Sequence, residues 1–107
     1  MKNTYELGYW LNIESETKSD LERIKNILKK YEAEILFEEI PQKRNLAYPI
    51  KKQKLGYFGY LIFELEKKEN LEKINEELKN ISSILRFIII KRKILLAKET
   101  KIIETNL

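Results

Sequence analysis

The chain has no cysteine and no histidine. The first absence excludes a disulfide framework and thiolate chemistry. The second removes the commonest general base and the commonest metal ligand. Catalysis would have to rest on carboxylates, tyrosine or lysine, so the chain is not expected to be an enzyme. Glycine is scarce, with three residues, and proline occurs twice, at Pro41 and Pro49. No glycine-rich phosphate loop, nucleophile elbow or metal-ligand spacing is present. Apolar runs such as Phe87–Ile90 are far too short to span a membrane. The start, Met1-Lys2-Asn3-Thr4-Tyr5, lacks the apolar centre of a signal peptide. A cytoplasmic protein is expected, with no cofactor, no metal and no small-molecule substrate.

What is present is charge, and its placement is uneven. Of the 107 residues 36% are charged, with a net charge of +4. Residues 41–54 hold five basic residues (Lys43, Arg44, Lys51, Lys52, Lys54) and no acid. Residues 84–98 hold five more (Arg86, Lys91, Arg92, Lys93, Lys98), again without an acid, which leaves the remainder at −6. Two basic segments on an acidic body are the electrostatic footprint of a polyanion binder. The plainer reading is a lysine-rich solvated surface. The acidic pairs Glu38-Glu39, Glu64/Glu66 and Glu76-Glu77 read as solvated faces on so charged a chain.

The length fits one domain that can bury a core unaided. Residues 4–13 alternate, with Tyr5, Leu7, Tyr9, Leu11 and Ile13 on one face, which predicts a strand with that face buried. Ser19 with Glu22 spells a capping box, and Leu21, Ile24, Leu28 and Tyr31 follow as one stripe, predicting a helix at about 19–32. A strand over Ile35–Ile40 is broken by Pro41 and resumes over Arg44–Ile50. The prolines mark an edge strand, bulged between its halves. A basic turn at Lys51–Lys54 leads into a strand over Leu55–Leu65 that is apolar on both faces. Asn70 can cap a helix over 71–80, and Leu85–Arg92 is a β-branched strand. The order β-α-β-β-α-β predicts an α+β, ferredoxin-like fold. It has a four-stranded antiparallel sheet in the order 4-1-3-2, with two helices on one face. Residues 1–93 form the domain and 94–107 a C-terminal extension or tail.

Three constellations carry functional possibilities. The first is the basic hairpin, Lys43, Arg44, Lys51, Lys52 and Lys54 around Tyr48, suited to phosphate contact and base stacking; charging an edge strand also prevents sheet-to-sheet association. The second is the strip Arg86, Lys91, Arg92 and Lys93, with Lys2 on the neighbouring strand. The third is aromatic: Phe58, Tyr60 and Trp10 form a stacking platform if the sheet face is open. Phe58–Phe63 resembles the octamer of RNA-recognition-motif domains, without its opening basic residue and glycine. Packing, or cover by a partner or by the C-terminal tail, explains the same aromatics.

Leu46-Ala47-Tyr48-Pro49-Ile50-Lys51-Lys52, followed by Gly56-Tyr57-Phe58, resembles the signature of the bacterial small-subunit ribosomal protein six family. Tyr5-Glu6-Leu7 and Ile84-Leu85-Arg86-Phe87 match it too, and the correspondence runs over roughly residues 3–93. The resemblance implies a structural, non-catalytic protein. It further implies binding to the central domain of small-subunit ribosomal RNA, as a heterodimer with small-subunit ribosomal protein eighteen. By the same resemblance the RNA-binding positions are Lys2, Lys43, Arg44, Tyr48, Lys51, Lys52, Arg86, Lys91 and Arg92. One arginine that many members carry before the signature is Lys or Asn here, and Phe87 replaces a second arginine after Arg86. The alternatives are a stand-alone RNA-recognition-motif-like module for single strands and a homodimeric ferredoxin-like regulatory domain.

Overall fold

Period-two alternation at the start of the chain makes β1 (Asn3–Asn12), with Tyr5, Leu7, Tyr9 and Leu11 buried and Glu6, Gly8 and Trp10 half covered. The computed structural model describes residues 2–50 and 52–92. After β1 come α1 (Thr17–Lys30), β2 (Glu34–Ile50), β3 (Gln53–Leu65), α2 (Glu69–Lys79) and β4 (Ile84–Arg92). Among the described residues the strands form one antiparallel sheet in the order β2-β3-β1-β4, the expected 4-1-3-2 seen from the other edge. The predicted extension 94–107 lies outside the described residues, as do Lys51 and Lys93.

Both helices cover the same face. Ile24 and Leu28 of α1 and Ile74 and Leu78 of α2 are fully buried in one cluster with Leu7, Leu11, Leu61 and Phe63 of the two central strands. Each such side chain contributes about 1.5–3 kcal/mol by leaving water. Tyr31, just past α1, donates from its hydroxyl to Glu77 of α2, and Lys30 reaches the same carboxylate at 2.8 Å.

The helix ends differ from the sequence prediction. α1 begins at Thr17, two residues before the expected cap, so Ser19 lies inside the helix and caps nothing. The start is fixed instead by Asn12, whose side chain accepts from the Glu14 N–H at 2.9 Å, and by Ser15, whose hydroxyl donates to the buried carboxylate of Asp20. That acid sits in the first turn, where the helix dipole favours it. α1 closes at Lys30: the Ala33 N–H bonds the Leu28 carbonyl at 2.9 Å and the Glu32 N–H bonds that of Lys29 at 3.0 Å, with Glu32 at φ 67°. This is a Schellman closure with glutamate where glycine is usual. Asn70 is not a cap either. It lies one residue inside α2, buried, and its amide donates to the Tyr31 carbonyl at 2.9 Å, joining the start of α2 to the end of α1.

β2 is one strand of 17 residues rather than two halves. Its register against β3 slips three times. Ile35 faces Phe63 and Phe37 faces Ile62, which leaves Leu36 extra. Glu39 faces Tyr60 and Gln42 faces Phe58, which inserts a residue at Ile40-Pro41. Asn45 faces Leu55 and Ile50 faces Gln53, so residues 46–49 stand opposite Lys54 alone. Both prolines fall inside these irregularities, where no ladder hydrogen bond is lost. The bulges turn apolar side chains outward: Leu36 is 48% exposed, Ile40 71% and Tyr48 75%. The turn is also tighter than predicted, because Gln53 and Lys54 already belong to β3 and Lys52 takes φ 67°.

The centre of the sheet depends on one glycine. Tyr9 and Gly59 are directly opposite on β1 and β3. A Cβ at position 59 would lie 2.5 Å from the Tyr9 hydroxyl oxygen and 2.8 Å from its ring carbon. Gly59→Ala should therefore cost about 1–3 kcal/mol in a denaturant titration. Tyr9→Phe, by removing one of the two clashing atoms, should return part of that loss when the two changes are combined.

Candidate nucleic-acid interface

Strand alternation assigns every sheet residue to the helix-covered face or to the open one. The open face carries Thr4, Glu6, Gly8 and Trp10 from β1 and Phe58, Tyr60, Ile62 and Glu64 from β3. β4 adds Arg86, Ile88, Ile90 and Arg92, and β2 adds Glu34, Phe37, Glu39, Gln42 and Arg44. At the end nearest the β2–β3 hairpin, the Trp10 and Phe58 rings lie with centroids 4.9 Å apart. The Arg44 guanidinium is 6.0 Å from the Phe58 centroid, and Arg86 stands directly opposite Trp10. An arginine–aromatic–aromatic–arginine row thus crosses all four strands. An aromatic pair of this kind is worth about 0.5–1.5 kcal/mol beyond its burial, and an exposed cation over a ring about 0.5–1 kcal/mol. Both arginines remain exposed, with donors free for phosphate.

The other predicted residues are spread more widely. Lys43 is opposite Tyr57 and so lies on the helix-side face, away from its neighbour Arg44. Tyr48 projects from the large bulge, and Lys52 is exposed at the turn. Lys51 lies outside the described residues. Lys2 is half exposed, but its ammonium is 3.8 Å from Glu34 and 3.9 Å from Glu64, two carboxylates directly opposite each other in register. Lys91 pairs with Tyr5 and lies on the helix-side face, lining a pocket with Leu71 and Glu72 of α2. Arg92 is on the open face, six positions and roughly 20 Å along β4 from Arg86. The run of basic residues near the C-terminus is therefore not one strip. Arg86 joins Arg44 at the hairpin end of the face, and Arg92 lies at the other end with Lys2.

Sequence reasoning missed Glu6. It lies on the open face between Ile62 and Ile90, and its Oε1 is buried without a hydrogen-bond donor among the described residues. Burial raises its pKa above the usual carboxylate value, and Arg92 partly opposes the shift. Its place in the alternation, level with Gly8 and Trp10, was the available signal. Among the described residues no group of three or more metal-binding side chains is assembled. No helix there is long and apolar enough to cross a membrane.

Residues 4–91 match the family described as Ribosomal protein S6. The chain belongs to the ribosomal protein S6 family. Small ribosomal subunit protein bS6 of Borreliella afzelii is 38% identical over 77 residues, covering 72% of this chain and 55% of that protein. The protein of the same name from Sulfurovum sp. is 32% identical over 78 residues, covering 73% of this chain and 61% of its own length. The chain thus spans less than two thirds of these relatives. The crystal structure of 30S ribosomal protein S6 from Thermotoga maritima shares the fold, with a TM-score of 0.80 at 23% identity, covering 86% of this chain and 89% of that one. A ribosomal-protein family is structural rather than catalytic, as the residue inventory led us to expect.

Glu6 gives this S6-family fold a measurable pH signature. Its folded pKa lies above the unfolded value of about 4.5, so between those two values the folded state binds more protons and stability falls as pH rises. At neutral pH the charged carboxylate therefore destabilises the free chain. Glu6→Gln should be more stable than wild type in urea at pH 7, by roughly 0.5 kcal/mol or less because solvent screens this half-covered carboxyl, and the difference should shrink as pH drops below the ordinary carboxylate range.

Proposed function

We propose that the chain is a structural constituent of the small ribosomal subunit in the cytoplasm. It binds the central domain of small-subunit ribosomal RNA together with small-subunit ribosomal protein eighteen. The observation that carries this reading is the Arg44–Phe58–Trp10–Arg86 row beside a hairpin that extends past the end of β1. Its two exposed guanidinium groups suit bidentate phosphate contacts, and Lys43, Tyr48 and Lys52 of the hairpin segment extend the same basic end; Lys51, next to Lys52 in sequence, belongs to the same proposed set. The family match supports the ribosomal assignment. Lys2, Lys91 and Arg92 belong to a second, weaker contact zone, since Lys2 already shares its charge with two carboxylates.

A second reading has one observation in its favour. The Trp10–Phe58 pair on an open sheet face resembles a base-stacking platform, which would bind single strands without a protein partner. Four carboxylates on the same face, Glu6, Glu34, Glu39 and Glu64, oppose it by repelling phosphate.

Titration of a labelled central-domain rRNA fragment at several salt concentrations, with the protein partner present, tests the first reading. Affinity should fall steeply with salt. Arg44→Ala and Arg86→Ala should each weaken binding and flatten the slope of log K against log[salt] by roughly 0.7–0.9. Lys2→Ala should change the slope less than either. Unchanged affinity and slope in the Arg44→Ala/Arg86→Ala double variant would refute the assigned contact zone.

A further inference from the structure

We propose that residues 99–104, in the segment that follows β4, form a fifth strand antiparallel to β4 along its outer edge and close the clefts between β4 and α2. This pairing is independent of the ribosomal reading, because it concerns how the chain covers the second edge of its own sheet.

The two edges, β2 and β4, are guarded unequally. β2 has two prolines and three slips of register. β4 has no proline, and from Arg86 to Arg92 it runs in unbroken register with β1. Among the described residues it pairs with β1 alone. Phe87, Ile88, Ile89 and Ile90 are four consecutive apolar residues, each only half covered. A flat apolar edge of this kind is a template for another strand. There is also room beside it. Two clefts, of about 440 and 320 Å³, lie between α2 and β4, and Asn75 borders both. Leu71 and Ile89 line the first, Leu78 and Phe87 the second. A strand beside β4 would cover Phe87 and Ile89 on the helix side of the sheet and Ile88 and Ile90 on the other.

Charge selects the occupant. From Arg86 to Arg92 β4 carries three cations and no acid. A second copy is disfavoured, since the register that pairs this whole segment with its two-fold mate sets Arg86 against Arg92 at both ends. The sequence Glu99-Thr100-Lys101-Ile102-Ile103-Glu104 lies outside the described residues, and it brings two acids. Glu99 and Glu104 are five positions apart, as are Arg86 and Lys91. An antiparallel register that sets Glu104 opposite Arg86 therefore also sets Glu99 opposite Lys91. The same register sets Ile103 opposite Phe87 and Ile102 opposite Ile88, so apolar meets apolar on both faces of the sheet. Lys101 falls opposite Ile89, which shares the first cleft with Glu72 of α2. A shift by one residue either way sets Glu104 against Leu85 or Phe87 and loses the match. Residues 93–98 remain for the connection, an ordinary loop length. Arg86 has five donors, so a pairing with Glu104 leaves it able to meet a phosphate as well.

The test is hydrogen exchange of the full chain, followed amide by amide by NMR. All amides from Phe87 to Ile90 should exchange slowly, whereas a bare edge strand protects only alternate ones. In the full-length Ile102→Asp/Ile103→Asp variant, alternate amides of that stretch should exchange roughly tenfold faster or more, with those of β1 and β3 unchanged. Glu104→Arg should speed the same amides by roughly two- to fivefold, and Glu104→Arg/Arg86→Glu should restore them. Any of three results overturns the proposal: alternate amides of Phe87–Ile90 that exchange in wild type as fast as those of an exposed loop; exchange unchanged by Ile102→Asp/Ile103→Asp; or protection that is lost on dilution, which would give the edge to a second copy. RNA enters none of these measurements, so failure of the fifth strand and failure of the ribosomal reading are separately visible.

Discussion

Two helices can cover only one face of a sheet whose central strands are apolar on both. β1 and β3 place Leu7, Leu11, Leu61 and Phe63 under the helices, and the same strands place Trp10, Phe58, Tyr60 and Ile62 on the other side. Among the described residues no second layer covers that other side. The fold thus leaves, among the described residues, a half-exposed apolar surface whose hairpin end carries arginine and whose opposite half carries carboxylates together with Arg92 and Lys2. Arg44 and Arg86 flank the aromatic pair at the hairpin end, and Glu6, Glu34 and Glu64 occupy the opposite half. The chain has no histidine or cysteine, and among the described residues no metal-binding cluster is assembled.

The second constraint is the edge. An exposed edge strand invites pairing with other chains, and proteins blunt it with charge, proline and bulges. β2 uses all three. Pro41 and Pro49 sit where the register slips, and the slips interrupt the flat row of backbone donors that another strand would need. The same irregularities carry the signature stretch. Residues 46–49 leave the ladder opposite a single partner residue, and Tyr48 is thereby presented to solvent. Protection against sheet-to-sheet association and presentation of a contact surface are two consequences of one geometry.

The topology was legible because local and global signals agreed. Alternation marked β1 and β4 to within a residue, and the prolines marked β2 as an edge. Helix boundaries were not, and each miss has a local cause. The capping spelling at Ser19 lost to the Ser15–Asp20 bond, which starts the helix two residues earlier. The end of α1 carries Glu32 in the left-handed region in place of the glycine that would have announced it. Asn70 resembled a cap but serves as a bridge between helices. The candidate site was legible as composition and not as geometry. Lys43-Arg44 and Lys91-Arg92 each read as one basic point, yet strand alternation sends the two members of each pair to opposite faces. Glu6 was legible only as a member of the second face of β1, with Gly8 and Trp10; that Ile62 and Ile90 flank it and bury its oxygen depends on the register of the neighbouring strands.

The central claim is that this surface serves a ribosomal particle. The most direct measurement is sedimentation of a cell lysate containing the tagged full chain through a sucrose gradient at low salt, followed by washes of rising ionic strength. The account predicts that the chain travels with the small subunit and is released progressively as salt screens its phosphate contacts. A chain that stays at the top of the gradient at low salt, with small subunits intact below it, would contradict the account.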